Sequence, residues 1–175
     1  MLSKSGKCHQ GFPLSVTRMT EIVAIQFTQE QARTLTSVSA ETVRHWRRAI
    51  PYLATKPGKA ARFTFTDVVG LAATRQVIST FGVHITSVSF GINTLFQLLA
   101  EARPAALEEA MAVITTDGAA ILAAADLSTK RFDSATLVIP LGPLVDRLHR
   151  QMVPILPVAE QTTLPFPPQI VRSGT

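Results

Sequence analysis

The chain has 175 residues, of which 46% are hydrophobic, and its formal net charge is +5 at pH 7. This length allows one domain or two small ones, and the hydrophobic content excludes wholesale disorder. The single cysteine, Cys8, excludes an intrachain disulfide and a thiolate metal cage. No apolar run approaches the roughly 20 residues that span a bilayer and no signal-peptide core is evident, so we expect a cytoplasmic protein without a membrane partner.

Residues 1–25 mix serine, glycine, lysine and proline without a clear period. Terminal segments of this kind are commonly not held by contacts with the rest of the fold, so we predict a flexible N-terminal arm. The alternative is a basic arm that contacts phosphate groups through Lys4, Lys7 or Arg18. Residues 21–27 are apolar enough to form a short strand that pairs with a later hairpin.

The stretch from Phe27 to Ile50 predicts two short helices around a tight turn. The first helix covers Gln29–Leu35. After the turn, Ser39 is a typical N-cap, because its hydroxyl can accept from the free amides of the next helix. Glu41 then places negative charge in the first turn, where the helix dipole favours it.

The second helix has one apolar and one basic face. Val43, Trp46 and Ile50 recur at helical spacing and predict the buried stripe. Three arginines lie outside this stripe and are predicted to project toward solvent: Arg44, Arg47 and Arg48. A short helix that is anchored by apolar side chains and carries outward arginines suits the negatively charged major groove of DNA.

A hairpin, which we call the wing, is predicted to follow the second helix. Pro51 is expected to end that helix. Lys56-Pro57-Gly58-Lys59 has turn chemistry and lies between two short runs, Tyr52-Leu53 and Arg62-Phe63. Lys56 and Lys59 at the tip would contact phosphates; the alternative is a solvated loop. From residue 33 to residue 75 the chain has eight lysines and arginines against two acidic residues, which concentrates its positive charge here.

Several motifs in this region occur in a characteristic order. They are Phe27-Thr28, then Val38-Ser39-x-x-Thr42-Val43-Arg44-His45-Trp46, then Arg62-Phe63-Thr64-x-x-Asp67-Val68, and finally Gly82 and Ile85. Together they resemble the winged helix-turn-helix of MerR-type transcription regulators over roughly residues 26–99. His45-Trp46 stands where that family often has two aromatic residues.

The resemblance implies a dimer that binds double-stranded DNA, with the second helix in the major groove and the wing on the sugar–phosphate backbone. The three arginines are the candidates for base and phosphate contacts, and His45 either donates to a phosphate or packs beside Trp46. The full set of candidate DNA-binding residues is Thr28, Ser39, Thr42, Arg44, His45, Arg47, Arg48, Lys56, Lys59 and Arg62.

Two longer helices are predicted next. Thr66 is expected to cap the third helix, which ends at Phe81-Gly82, since glycine is common just past a helix. Thr86 is expected to cap the fourth, in which Gly91 costs up to about 1 kcal/mol relative to alanine. The apolar stripe of the fourth helix predicts a core face, with a dimer surface as the alternative; it comprises Val88, Ile92, Leu95, Phe96 and Leu99.

Residues 103–152 predict a small α/β unit. A helix is expected over Ala105–Met111, and a hairpin follows around Asp117-Gly118, a pair favoured in tight turns. Residues 123–130 could be helix or loop, and residues 135–139 form a predicted buried strand. A last helical stripe comprises Leu144, Val145, Leu148 and Met152. This unit would serve dimerisation, effector sensing or contact with a protein partner.

The fold class expected from these elements is α+β. A winged helix-turn-helix domain at 26–102 follows the arm at 1–25 and precedes the α/β unit at 103–152. Five prolines between residues 153 and 175 predict a Pro-rich tail.

No chemistry of an active site is evident in the sequence. There is no Gly-rich phosphate loop, and the four histidines share no ligand spacing, so we expect no enzyme activity, cofactor or metal. The leading hypothesis is sequence-specific DNA binding by a dimeric, nucleoid-associated transcription regulator. The alternatives are an architectural or segregation factor that spreads on or bridges DNA, and a protein–protein adaptor that uses the C-terminal unit.

Overall fold

The computed structural model describes residues 25–56, 58 and 60–152, and this part of the chain has a mixed α+β fold. Its α-helices are α1 (Gln29–Thr36), α2 (Ala40–Ala49), α3 (Pro51–Ala54), α4 (Phe65–Phe81), α5 (Ile85–Glu101), α6 (Ala124–Leu127) and α7 (Gly142–Met152), with a 3-10 helix at Pro104–Leu107. Its strands are β1 (Gln26–Thr28), β2 (Arg62–Thr64), β3 (Ala110–Ile114), β4 (Ala119–Ala123) and β5 (Leu137–Pro140). The predicted arm up to residue 24 and the predicted tail from residue 153 lie outside the described residues.

The first two helices form as the sequence predicts. Thr28 caps α1 through a capping box, in which its hydroxyl accepts from the Gln31 amide while its own amide donates to Gln31 Oε1. The C-terminus of α1 closes in a Schellman arrangement, with Ser37 in the left-handed region at φ 51°. Arg75 of α4 donates to the Thr36 carbonyl at 3.0 Å and so fixes the turn between α1 and α2.

The predicted wing hairpin is wrong in its pairing. Tyr52 and Leu53 are helical, because Pro51 at the first position of α3 supplies the fixed φ with which a helix can begin. Strand β2 pairs instead with β1, antiparallel, with Phe27 opposite Phe63. The strand predicted over residues 21–27 corresponds in part to β1, which pairs with β2, whereas residues 21–24 lie outside the described residues.

The third and fourth helices differ from expectation at their starts. Thr64, not Thr66, caps α4, and its hydroxyl and amide both engage Asp67. His84 precedes α5 without a side-chain cap, where Thr86 was expected. Gly82 ends α4 at φ 64°, as predicted. The five predicted stripe residues of α5 are all buried.

A three-stranded antiparallel sheet in the order β4-β3-β5 forms the C-terminal part. The hairpin around Asp117-Gly118 is confirmed, since the Thr115 amide donates to the Gly118 carbonyl at 2.9 Å. The helix expected over Ala105–Met111 is wrong: a single 3-10 turn is followed by β3, which pairs on both sides.

The helices and the sheet share one hydrophobic cluster, which extends along the chain from Phe27 to Met152. Helix α7 contacts α4 and α1, and α5 contacts β3 and β4. The carbonyl of Thr115 lies so close to α5 that a Cβ at Gly91 would overlap it. The glycine that weakens the predicted helix therefore allows the β3–β4 hairpin to approach the helix.

A buried polar cluster joins α3, β2 and α4. The carboxylate of Asp67, 1% exposed, accepts from Tyr52 Oη at 2.8 Å and from the Thr64 amide at 2.7 Å, and it forms an ion pair with Lys56. The Lys56 ammonium also lies 5.1 Å from the Tyr52 ring centroid and 5.8 Å from that of Phe63. This cluster fixes the chain just after α3 to the start of α4.

The Tyr52–Asp67 hydrogen bond predicts a loss of stability at high pH. Burial, followed by the hydrogen bond to Asp67 and its charge, raises the pKa of Tyr52 above its ordinary value. The folded state therefore holds the phenolic proton more tightly than the unfolded chain, whose tyrosine titrates near about 10. The resulting stabilisation is full below about pH 10 and is lost as the pH rises further.

Urea unfolding between pH 8 and pH 11 measures this effect. The free energy of unfolding of the parent chain should fall more steeply above about pH 10 than that of Tyr52→Phe. Because the chain contains one tyrosine, the variant removes all phenol titration while leaving the lysines unchanged. Parallel pH profiles for the two proteins would contradict the assignment.

Candidate nucleic-acid interface

Helix α2 has a buried face and an exposed basic face. Val43, Trp46 and Ile50 are buried, as predicted, so the helix is anchored along its length. Arg44 and Arg48 are exposed, and within the described ranges neither forms an ion pair. Because these residues are four positions apart, their guanidinium groups leave the helix on the same side.

Arg47 does not project freely into solvent as expected. It is half-buried, and its guanidinium donates to Gln29 Oε1 at 2.9 Å. Its Nε is buried with no hydrogen-bond partner among the described residues, and burial lowers the pKa of this arginine. Arg47 therefore links α2 to the start of α1 and presents only part of its charge to the surface.

Two concave surfaces flank the exposed face of α2. A groove of about 520 Å³ lies between α2 and the start of α1, and we call it the α1–α2 groove; it is lined by Thr28, Gln29, Glu30, Arg33, Ala40, Arg44, Arg47 and Gly58. A second concavity of about 390 Å³ is lined by Glu41, Thr42, Arg44, His45 and Arg48. Six of the ten predicted site residues thus line these two surfaces, with Arg44 common to both.

Ser39 is the N-cap of α2, as the sequence predicts. Its hydroxyl accepts from the Thr42 amide at 3.0 Å and lies 2.8 Å from the Thr42 hydroxyl. Ser39 is exposed and Thr42 is half-buried, so both hydroxyls lie at the solvent-accessible N-terminus of α2. The first turn of α2 is therefore ordered by its own side chains.

The β1–β2 ladder places Arg62 beside the α1–α2 groove. Arg62 is directly opposite Thr28, and side chains of such a cross-strand pair project from the same face of the sheet. The Arg62 side chain is exposed, and its guanidinium donates to the Ala60 carbonyl at 3.1 Å. Gly58, between α3 and β2, also lines this groove.

The sequence predicts two lysines at the tip of the wing, Lys56 and Lys59, and the structure describes only the first of them. Lys56 was expected at a hairpin tip, but no such hairpin forms and its ammonium is paired with the buried carboxylate of Asp67. This ion pair satisfies a buried charge that would otherwise be very unfavourable, so Lys56 is held within the fold. Lys59 lies outside the described residues.

Sequence reasoning missed some residues of the groove. Arg33 contributes a third guanidinium, which pairs with Glu30 at 2.7 Å and donates to the Val38 carbonyl at 3.3 Å. The spacing of Glu30 and Arg33 on α1 was a readable signal for that pair. Gln29 had no such signal, because its partner Arg47 is 18 positions away.

The chain matches no protein-family model, and the comparisons find no significant similarity to a curated protein or to a solved structure. Within residues 25–56, 58 and 60–152, no three His, Cys, Asp or Glu side chains are grouped in a way that could hold a metal ion. None of the helices in this part is both long and apolar enough to cross a membrane.

Proposed function

We propose that this protein binds double-stranded DNA as a MerR-like transcription regulator, with α2 in the major groove. One observation carries the proposal: Arg44 and Arg48 are exposed on one side of a helix whose opposite side is buried, and no described acid pairs with them. Glu41 is the single acid that lines the concavity with them.

The dimensions of α2 suit this role. An α-helix with its side chains is about 10–12 Å in diameter and the major groove of B-DNA is about 12 Å wide, so a helix such as α2 can lie in it. An arginine on such a helix can donate two hydrogen bonds to O6 and N7 of guanine. We assign this role to Arg44, and we assign base-edge or phosphate contacts to Arg48.

The α1–α2 groove supplies a second contact, to the backbone. The N-terminus of α1 opens into it, and the helix dipole favours an anion at that end, although the capping box already occupies the amides of Thr28 and Gln31. Arg33 lines the same groove, and Arg62 lies beside it. Phosphate contacts of this kind hold the protein in register on the duplex without reading the sequence.

Two copies related by a dyad would bind two half-sites, as helix-turn-helix dimers do. The β1–β2 ladder and the loop between α3 and β2 would take the place of the wing. In this arrangement Lys56 stabilises the base of the loop and does not contact DNA.

Selection of bound duplexes from a random library, followed by binding of two variants, tests the proposal. Arg44→Ala should reduce discrimination between selected and scrambled duplexes by about 1–3 kcal/mol. Arg62→Ala should weaken binding to both duplexes similarly and lower the dependence of binding on salt by about one unit of slope. The different outcomes follow from the difference between a base contact and a phosphate contact.

Arg131→Ala is the matched control, because it removes the same charge from the exposed segment between α6 and β5. It should leave both affinities close to those of the parent chain. If the library yields no enriched sequence, or if Arg44→Ala and Arg131→Ala behave alike, the proposed recognition role of α2 is wrong.

A further inference from the structure

We propose that strand β4 is a dimer interface, where it pairs antiparallel with β4 of a second copy of this chain. The pairing would join two three-stranded sheets into a six-stranded sheet, with Phe90 of each copy packed beside the junction. This inference extends the homodimer proposed above by naming its contact surface. It requires no DNA, so it can be tested separately from DNA recognition.

The outer edge of β4 has free hydrogen-bonding groups. In the sheet order β4-β3-β5, β4 has a neighbour on one side. Thr115 and Gly118 form the closing hydrogen-bonded pair of the hairpin, and hydrogen-bonded pairs alternate along an antiparallel ladder. Ala119 and Ile121 therefore direct their N–H and C=O groups away from β3, and no described residue bonds to them there. The N–H of Ala123 also points outward, whereas its C=O accepts the first hydrogen bond of α6, of which Ala123 is the N-cap.

Among the described residues, this edge has none of the features that usually protect an exposed strand. Proteins block edge pairing with lysines, prolines, bulges or covering segments, and β4 reads Ala-Ala-Ile-Leu-Ala. The opposite edge of the sheet, β5, ends in Pro140. In a chain of net charge +5, two copies associate most readily through a surface without charge, and β4 is such a surface.

The sequence of β4 is complementary to itself. With the dyad at Ile121, the two isoleucines face each other, and Ala119 lies opposite Ala123 of the second copy. On the other face of the sheet, Ala120 lies opposite Leu122 of the second copy, so a small side chain meets a large one. The three outward-facing pairs would exchange about four N–H···O bonds, because the two Ala123 carbonyls already accept within α6.

Phe90 is the most exposed large hydrophobic residue among those described, at 61%. On α5, Gly91 faces the β3–β4 hairpin, and Phe96 faces α4, because a Cβ at Gly70 of α4 would clash with its ring. Phe90 lies about 100° from Gly91 around the helix, on the side away from Phe96. That is the side of the open β4 edge, since α5 packs on β4 whereas α4 contacts β5.

The size of the interface sets the expected affinity. The five residues of β4 extend about 17 Å. The contact would include this strand and the adjacent side of α5. We expect a buried area near the lower end of the roughly 1,200–2,000 Å² of specific interfaces, and therefore a reversible, concentration-dependent dimer.

Sedimentation of the full chain without DNA, over a wide range of concentration, tests the interface. Ala123→Pro removes an outward N–H at a residue whose φ of −67° already matches proline, so the subunit should keep its fold. Phe90→Ala removes the exposed ring. Each variant should raise the dimer dissociation constant at least tenfold, whereas Phe81→Ala, a 47% exposed phenylalanine at the end of α4, should leave it unchanged.

Circular dichroism of each variant verifies that the subunit remains folded. A parent chain that sediments as a monomer at every concentration would overturn the proposal. So would a dimer that Ala123→Pro and Phe90→Ala do not weaken, because that result would assign the contact to another surface. A dimer that depends on β4 but binds no selected duplex would support this interface while refuting DNA recognition.

Discussion

Replacing Asp67 with alanine is expected to lower the free energy of unfolding by about 3–5 kcal/mol, the usual effect of removing one partner of a buried ion pair. The carboxylate is buried and accepts from Tyr52, Lys56 and the Thr64 amide. Without it, the Lys56 ammonium is left near two aromatic rings with no counter-charge, and α4 loses its capping box. The unpaired ammonium and the lost capping box both destabilise the folded state.

Urea unfolding at pH 7, followed by circular dichroism, measures this loss. Glu30→Ala is the control, because it breaks an ion pair with Arg33 at an exposed site, where such pairs contribute about 0–1 kcal/mol. Asp67→Asn should be intermediate, since an amide oxygen can still accept from Tyr52 or Thr64. An Asp67→Ala variant as stable as Glu30→Ala would show that the cluster contributes little to the fold.

Local sequence signals predicted the region of α1 and α2 well. Ser39 as N-cap and Val43, Trp46 and Ile50 as the buried face depend on interactions within one or two turns of helix, which spacing and residue type reveal. The exposed positions of Arg44 and Arg48 follow directly from that stripe. The same reasoning predicted the Asp117-Gly118 hairpin, because the turn residues act through their own backbone geometry.

The predicted N-cap of α4, Thr66, is wrong, although the sequence itself distinguishes the two candidates. The segment Thr64-Phe65-Thr66-Asp67 offers two threonines as caps, and only Thr64 has an acidic residue three positions later. That spacing defines a capping box, which satisfies two amides at once, whereas Thr66 is too close to Asp67 to form one. The sequence alone therefore favours Thr64 as the N-cap.

The roles of Lys56 and Arg47 depend on contacts between distant parts of the chain. Lys56 has its partner 11 positions away, and Arg47 has its partner 18 positions away. A basic residue in a turn gives no local sign that a buried carboxylate will pair with it. The sequence therefore placed positive charge in the correct region, whereas the division between exposed and internally paired cations required the tertiary structure.

Gly91 illustrates the same limit for packing. Helix propensity correctly assigns a penalty to glycine inside α5. The fold nevertheless needs glycine at this position, because the carbonyl of Thr115, 24 residues later in the chain, occupies the space of a Cβ. Only the folded arrangement of α5 on β3 and β4 shows that no Cβ fits there. Strand β3 is a related case, because Ala110 and Met111 favour helix locally and are strand residues through pairing on both sides.

Trp46→Ala is expected to lower the free energy of unfolding by about 3–5 kcal/mol, because it removes a large buried side chain and leaves a cavity. Trp46 is 3% exposed and lies between Val43 and Ile50 on the buried face of α2. Its ring therefore holds the exposed arginines in a fixed orientation. If α2 recognises DNA, binding should fall in parallel with the loss of anchoring.

Circular dichroism must follow the unfolding of Trp46→Ala, since the chain contains one tryptophan and the variant has lost its fluorescence. Trp46→Phe retains much of the buried apolar area and should be destabilised far less. Arg44→Ala changes an exposed residue and should keep the stability of the parent chain while losing duplex discrimination. A Trp46→Ala protein that unfolds at the urea concentration of the parent chain would refute the anchoring role, because both the cavity and the freed helix should lower that midpoint.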